Sequence, residues 1–154
     1  MHLDNPYCPF GNQNAEETDL HLLWGSGFAQ DSWNSLIPNK KRGTFLYGET
    51  LLAIDQLPNA FAPEIVILGC WSIWNQRNDK IFRGIQQTIQ SWRFHFKQDL
   101  KLLQHKIKQK HSKEFKLWLH NNFYQCLLKQ ALPDLLPLFS WTILMLVPVL
   151  LFAL

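Results

Sequence analysis

No apolar run opens this 154-residue sequence. Met1 to Phe10 contains Asp4 and Pro6, so nothing there reads as a secretory signal. Cysteine is scarce: Cys8, Cys70 and Cys126 are odd in number and lack framework spacing, which excludes a disulfide-stapled secreted domain and fits a reducing compartment. Charged residues are also few, 18% of the chain, while hydrophobic residues reach 47%, a balance that excludes wholesale disorder. The length leaves room for one ordinary domain with appendages and none for a large enzyme.

Catalytic signatures are missing as well. There is no Tyr-x-Asp-Asp polymerase motif, no Gly-x4-Gly-Lys-Ser/Thr phosphate loop, no Gly-x-Ser-x-Gly elbow and no His-Glu-x-x-His. Gly25-Ser26-Gly27 is a fragment of a dinucleotide pattern without a strand before it. His95, His105, His111 and His120 are scattered among lysines and read as helix-surface residues. The expectation is a non-catalytic chain with no cofactor and no small-molecule substrate.

What the chain does have is aromatic rings, seven Trp and eleven Phe, which need a core, a partner or a bilayer. Its net charge of +3 hides an asymmetry. Residues 1–60 carry three basic and seven acidic side chains, whereas residues 91–130 carry nine basic against two acidic. The basic block comprises Arg93, Lys97, Lys101, Lys106, Lys108, Lys110, Lys113, Lys116 and Lys129. Such a block either meets the phosphates of nucleic acid or anionic lipid, or forms the solvated face of a helix.

The C-terminus departs furthest from average composition. Leu135 to Leu154 is 20 residues without a charge, with Ser140 and Thr142 as its only polar side chains. As a helix it would extend about 30 Å, the hydrocarbon thickness of a bilayer. Pro137 and Pro148 argue against a regular helix, yet proline is better tolerated in membrane helices than in soluble ones. The reading taken is a transmembrane segment inserted tail first with the N-terminal part cytosolic; a buried core helix in a soluble cytoplasmic or nuclear protein is the alternative.

Along the chain, every pattern is helical and the expected fold is all-α. Residues 1–37 read as a loop-rich region with a short helix near Leu20 to Trp24, started by Thr18 or Asp19, and another through Phe28, Trp33 and Leu36. Residues 38–62 have the character of a linker, with room for a short helix over 49–56. Residues 63–130 predict a helical hairpin. Its first helix spans 64–82, with Glu64 at its start, Arg77, Lys80 and Arg83 at its end, and Gly84 as the stop. The second is long, basic and amphipathic, over 86–130. Ile85, Ile89, Trp92, Phe96, Leu100, Leu103 and Ile107 recur at three and four residues, a heptad seam expected to pack on the first helix of the same chain, with a partner helix in another chain as the alternative. The predicted core centres on Ile65, Leu68, Trp71, Phe82, Trp92, Phe96 and Leu100.

Two stretches carry a resemblance. Trp71-Ser72-Ile73-Trp74-Asn75-Gln76-Arg77-Asn78-Asp79-Lys80-Ile81-Phe82 resembles the Trp-x-Ile-Trp-x-x-Arg-Asn-x-x-x-Phe element found downstream of the zinc-binding region of plant LINE-type, non-LTR retrotransposon reverse transcriptases. Upstream, that family has a Cys-x2-Cys knuckle, a Glu-Thr-x-x-His stretch, a His-x4-Cys pair, then Phe-Ala and Trp. This chain has Cys8, Glu17-Thr18-Asp19-Leu20-His21, Phe28-Ala29 and Trp33 in matching order. The resemblance covers about residues 7–36 and 65–120. It implies a helical region that engages nucleic acid, with Trp71, Trp74, Arg77, Asn78 and Phe82 as the family element.

The departures matter equally. Where the family pattern has its second and fourth ligands, this chain has Gly11 and Ser26, so Cys8 and His21 are relic positions and no zinc is expected. The expected function is a non-catalytic remnant. At most it binds nucleic acid weakly and non-specifically, or lipid, through Arg93, Lys97, Lys101, Lys106, Lys108, Lys110, Lys113 and Lys116.

Overall fold

The computed structural model describes residues 7–10 and 15–123, and these fold as helices. The chain divides into two compact units, Met1–Ser112 and Lys113–Leu154. Among the described residues the β-type pairing is a single isolated bridge, Tyr7 to Glu16.

In the first unit, Thr18 starts the helical path. Its hydroxyl accepts the His21 N–H at 3.1 Å and its carbonyl accepts the Leu22 N–H at 2.8 Å. A π-helix follows over His21–Gly25, closed by the Ser26 N–H on the His21 carbonyl at 2.6 Å, five residues back. Ser26 is then extended and caps α1 (Gly27–Asn34), its hydroxyl accepting the Ala29 N–H at 3.2 Å.

The stretch 38–62, expected as a linker, is part of the fold. Helix α2 (Leu46–Asp55) lies within it, Ala53, Leu57 and Phe61 are buried, and α2 packs on the helix that follows. Lys40 and Glu49 form an ion pair at its base with both side chains nearly buried, and the Lys40 ammonium lies over the Trp24 ring. Two charges removed from water in this way hold each other in place.

Helix α3 (Ala62–Arg83) has Pro63 in its first turn, where the missing N–H costs nothing, and Glu64 beside it on the positive end of the dipole. It stops where the sequence places the stop. Gly84 takes the left-handed conformation at φ 65°, and the N–H groups of Gly84 and Ile85 close on the carbonyls of Lys80 and Asp79. Residues 84–88 are not helical, and Thr88 caps α4 (Ile89–Leu103) by accepting the Ser91 N–H. Helix α4 then returns along α3: Ser91 donates to Gln76 Oε1 at 3.3 Å, while His95 and Asp99 lie opposite Ser72 to Arg83.

The single helix expected over 86–130 is instead two shorter ones within the described residues. Helix α4 ends at Leu103, a 3₁₀ turn follows at Gln109–His111, and α5 spans Ser112–Phe123. The break falls where Lys106, Lys108 and Lys110 crowd one turn, and like charges four residues apart oppose a helix. Trp92, Phe96 and Leu100 form the fully buried centre of the seam, while Ile85 and Ile107 at its ends lie outside the helix. In the second unit, α5 buries Phe115, Leu119 and Phe123, four residues apart on one face. Residues 135–154 lie outside the described residues; among those described, no helix is long and apolar enough to cross a membrane.

Candidate functional site

The two separated stretches of the family resemblance meet in space. Arg77 of α3 places Nε and Nη2 each 2.7 Å from Glu17 Oε1, and both side chains are largely buried. The Arg77 Nη1 also donates to Asn78 Oδ1 at 3.2 Å. Further along α3, Gly69 makes room for Trp33: a Cβ on Gly69 would stand 2.5 Å from Trp33 Cη2. Trp33 is fully buried, stacks on Trp24 with ring centres 4.4 Å apart, and donates its Nε1–H to the Leu23 carbonyl at 2.8 Å. Phe10 stacks on Phe28, and the Lys80 ammonium lies 5.9 Å above the Phe10 ring. Arg77 and Trp33 therefore join the N-terminal region to α3.

Of the positions that the resemblance would place at metal ligands, Cys8 and Ser26 are engaged in other contacts. Cys8 is buried, its sulfur accepts the Phe10 N–H at 3.4 Å, and its own N–H bonds the Ala15 carbonyl at 3.0 Å. Burial raises the Cys8 thiol pKa and the Glu17 carboxylate adds to the rise, against the opposing pull of the Phe10 N–H, Lys80 and Arg77. A thiol held neutral is a poor zinc ligand. Ser26 is buried, with its hydroxyl committed to the Ala29 N–H and the Leu22 carbonyl. His21 keeps a buried Nε2 without a hydrogen-bond partner among the described residues. Gly11 lies outside the described residues. Among those described, no three His, Cys, Asp or Glu side chains come together as a cage, so the donor set does not fit a structural zinc.

The lysines divide into groups. Arg93 and Lys97 are half-buried on α4, and Arg93 is structural, its Nη1 donating to the Ser35 carbonyl at 3.2 Å. Lys101, Lys106, Lys108 and Lys110 are exposed in the first unit, and Lys113 and Lys116 are exposed on α5 in the second.

The family element is split between two faces of α3. Arg77 faces inward to Glu17, whereas Trp71 and Trp74 are exposed and stack on each other at 5.0 Å. The expectation that Trp71 and Phe82 belong to the core is corrected: they are 52% and 55% exposed, and Leu68 is only half-buried. The buried face of α3 consists of Ile65, Val66, Gly69, Ser72, Ile73 and Gln76. Close approach of Trp33 and α4 selects small and slender residues there, which leaves the tryptophans outside.

One feature is foreshadowed only in part, since Asn78 and Phe82 of the resembled element line it. Between α3 and α4 lies a cleft of about 630 Å³, lined by side chains from Ser72 to Arg83 and by His95, Gln98 and Asp99. Its other sequence signal is a set of polar residues about one helical turn apart on the two helices. Against known protein families, characterised proteins and solved structures, the chain has no match.

Proposed function

We propose that this protein is a non-catalytic, metal-free remnant of the zinc-binding region of plant LINE-type, non-LTR retrotransposon proteins, which binds nucleic-acid phosphates weakly and without sequence preference. The observation that carries this reading is the exposure of Lys101, Lys106, Lys108, Lys110, Lys113 and Lys116, six cations with no acidic neighbour in the sequence but Glu114 and Asp99. Lysines that meet phosphates release counterions, so binding is electrostatic and sequence-blind. Arg77 and the buried Trp33 support the fold, and the junction they make with Glu17 and Gly69 supports reading the two stretches as one module.

Fluorescence anisotropy with a labelled oligonucleotide tests it. Affinity should fall steeply as salt rises. Replacing Lys106, Lys108, Lys110 and Lys113 by Ala should flatten the slope on duplex DNA by about 0.9 for each phosphate that the variant no longer neutralises. No binding at low salt, or discrimination between two sequences at physiological salt, would overturn the proposal.

A second reading rests on the uncharged run Leu135 to Leu154. In it, the run anchors the chain in a membrane with the basic block on the cytosolic flank, close to anionic headgroups. A fluorescent protein fused to residues 120–154 should then resist alkaline carbonate extraction, and Leu144→Arg with Leu146→Arg should release it, since each central charge costs about 2.5 to 3.5 kcal/mol on the insertion scale. A soluble, monodisperse parent fusion would refute the anchor and leave the nucleic-acid reading untouched.

A further inference from the structure

Helix α3 has a face that its neighbours leave bare. The helices packed on it in the first unit take the side of Ile65, Ile73 and Gln76, all buried. On the other side Ile67, Trp71, Trp74, Asn78 and Phe82 follow one another at steps of four, three, four and four residues, which sets them in one stripe along the helix. Ile67 is 67% exposed and Trp74 is 42% exposed, beside the half-exposed Trp71 and Phe82. Among the described residues, Trp71 and Trp74 stack on no ring but each other. A contiguous apolar surface of this kind marks an interaction site, and tryptophan is the residue that interfaces bury at their centres.

The stripe has no charge of its own. From Ile65 to Gln76 no side chain of α3 is acidic or basic, so the face offers nothing to a polyanion and can meet a copy of itself without like charges touching. The two ends of the helix differ in sign: Glu64 stands in the first turn, Lys80 and Arg83 in the last. Two copies of α3 laid antiparallel set these unlike ends near each other, whereas parallel copies set like ends together. The area suffices. Four large side chains, each about half exposed, offer roughly 500 Å² on each copy and about 1,000 Å² for a pair, the lower bound of a specific interface.

We infer that this stripe is an interaction surface for a second copy of the chain, docked antiparallel about a two-fold axis that passes between Trp71 and Trp74. Trp71 of each copy then meets Trp74 of the other, so that two stacked pairs become one block of four rings, and Ile67 faces Asn78 of the other copy. A two-fold axis uses the same patch twice, so the stripe needs no complement elsewhere on the molecule. An interface at the lower size limit is a weak one, and the pair exchanges with the monomer at micromolar concentration. The inference is independent of both the nucleic-acid and the membrane reading.

Sedimentation equilibrium of the full chain tests it. The expected result is a reversible monomer–dimer equilibrium with a micromolar Kd. Trp71→Asp with Trp74→Asp should weaken dimerisation at least tenfold at unchanged helicity, since both rings lie outside the core. Ile67→Lys should also weaken it, and adding Asn78→Glu to that variant should recover most of the loss, because each new cation then faces a new anion across the axis. A monomer at every concentration would overturn the inference, and so would a dimer indifferent to Trp71→Asp with Trp74→Asp, which would associate through some other surface. A further loss on adding Asn78→Glu would overturn the antiparallel arrangement, since only parallel copies set those like charges together. The natural chain and the charge pair decide the matter even if removal of both rings disturbs folding.

Discussion

The edge of the Trp33 ring fills the space in which a side chain at residue 69 would stand: a Cβ on Gly69 would lie 2.5 Å from Trp33 Cη2 and 3.1 Å from Cζ3. Glycine in the middle of a 22-residue helix is otherwise a liability, costing about 1 kcal/mol relative to alanine. Here the close approach outweighs that cost. Gly69→Ala should recover the helix propensity but overpack a rigid, fully buried ring, at roughly 1–3 kcal/mol. Urea denaturation should show a net loss, and Trp33→Phe in the same chain should relieve part of it by shortening the ring.

The Arg77–Glu17 pair predicts a second outcome. Both side chains are largely withdrawn from water, so removing one strands the other. Arg77→Ala and Glu17→Ala should each destabilise by about 2 kcal/mol, and the double variant should cost much less than their sum. Arg77→Lys should rescue little, since an ammonium cannot place two nitrogens on one carboxylate oxygen. Simple additivity in the double-mutant cycle would mean that the pair does not hold the junction together.

A third expectation concerns zinc. The natural chain should retain none through dialysis, and chelators should leave its helicity unchanged. Gly11→Cys with Ser26→Cys should create binding of one equivalent. Ser26→Cys alone should lower stability by about 1 kcal/mol, because it removes the hydroxyl that caps α1. Restored binding with stability returned by zinc would show that Ser26 had exchanged one role for the other.

Much of this fold is legible in the sequence where the signals are local. Gly84 announces the end of α3, and the seam identifies Trp92, Phe96 and Leu100 as fully buried. Periodicity does not say where a helix stops, and the crowded lysines near 106–110 divide the basic stretch in two. The role of Arg77 depends on a partner 60 residues away, which no local pattern carries. Size also misleads: Trp71 and Phe82 look like core, but the inward face of α3 needs Gly69 and Ser72 so that its neighbours can approach. In the sequence Ser26 is read only through the resemblance, as standing where the family pattern has a ligand; its capping role depends on the turn of chain around it.

Alkaline conditions provide the fourth prediction. Burial pushes the Cys70 thiol from its ordinary 9.0 up to about 12. Below pH 9 both folded and unfolded chains keep the proton, so the neutral buried thiol costs nothing. Above pH 9 the unfolded chain ionises while the folded chain does not, and stability falls as pH rises toward about 12, by about 1.4 kcal/mol per unit. The difference in urea midpoint between the natural chain and Cys70→Ala should therefore shift against the natural chain between pH 8 and pH 10.5. A difference that stays constant with pH would place the thiol in contact with water.

Helix α3 touches the His21–Gly25 turn, α1, α2 and α4, and all but the last precede it in the chain. During synthesis, the first sixty residues leave the ribosome before the surface they pack on exists. Trp24, Trp33 and Phe61 must then stay unprotected until Gly69 and Arg77 emerge, and such exposed aromatic surface is what chaperones bind and what aggregates. Ribosome-bound chains halted before residue 83 should accordingly be protease-sensitive and chaperone-associated, and those carrying all of α3 and α4 beyond the exit tunnel should become resistant in one step.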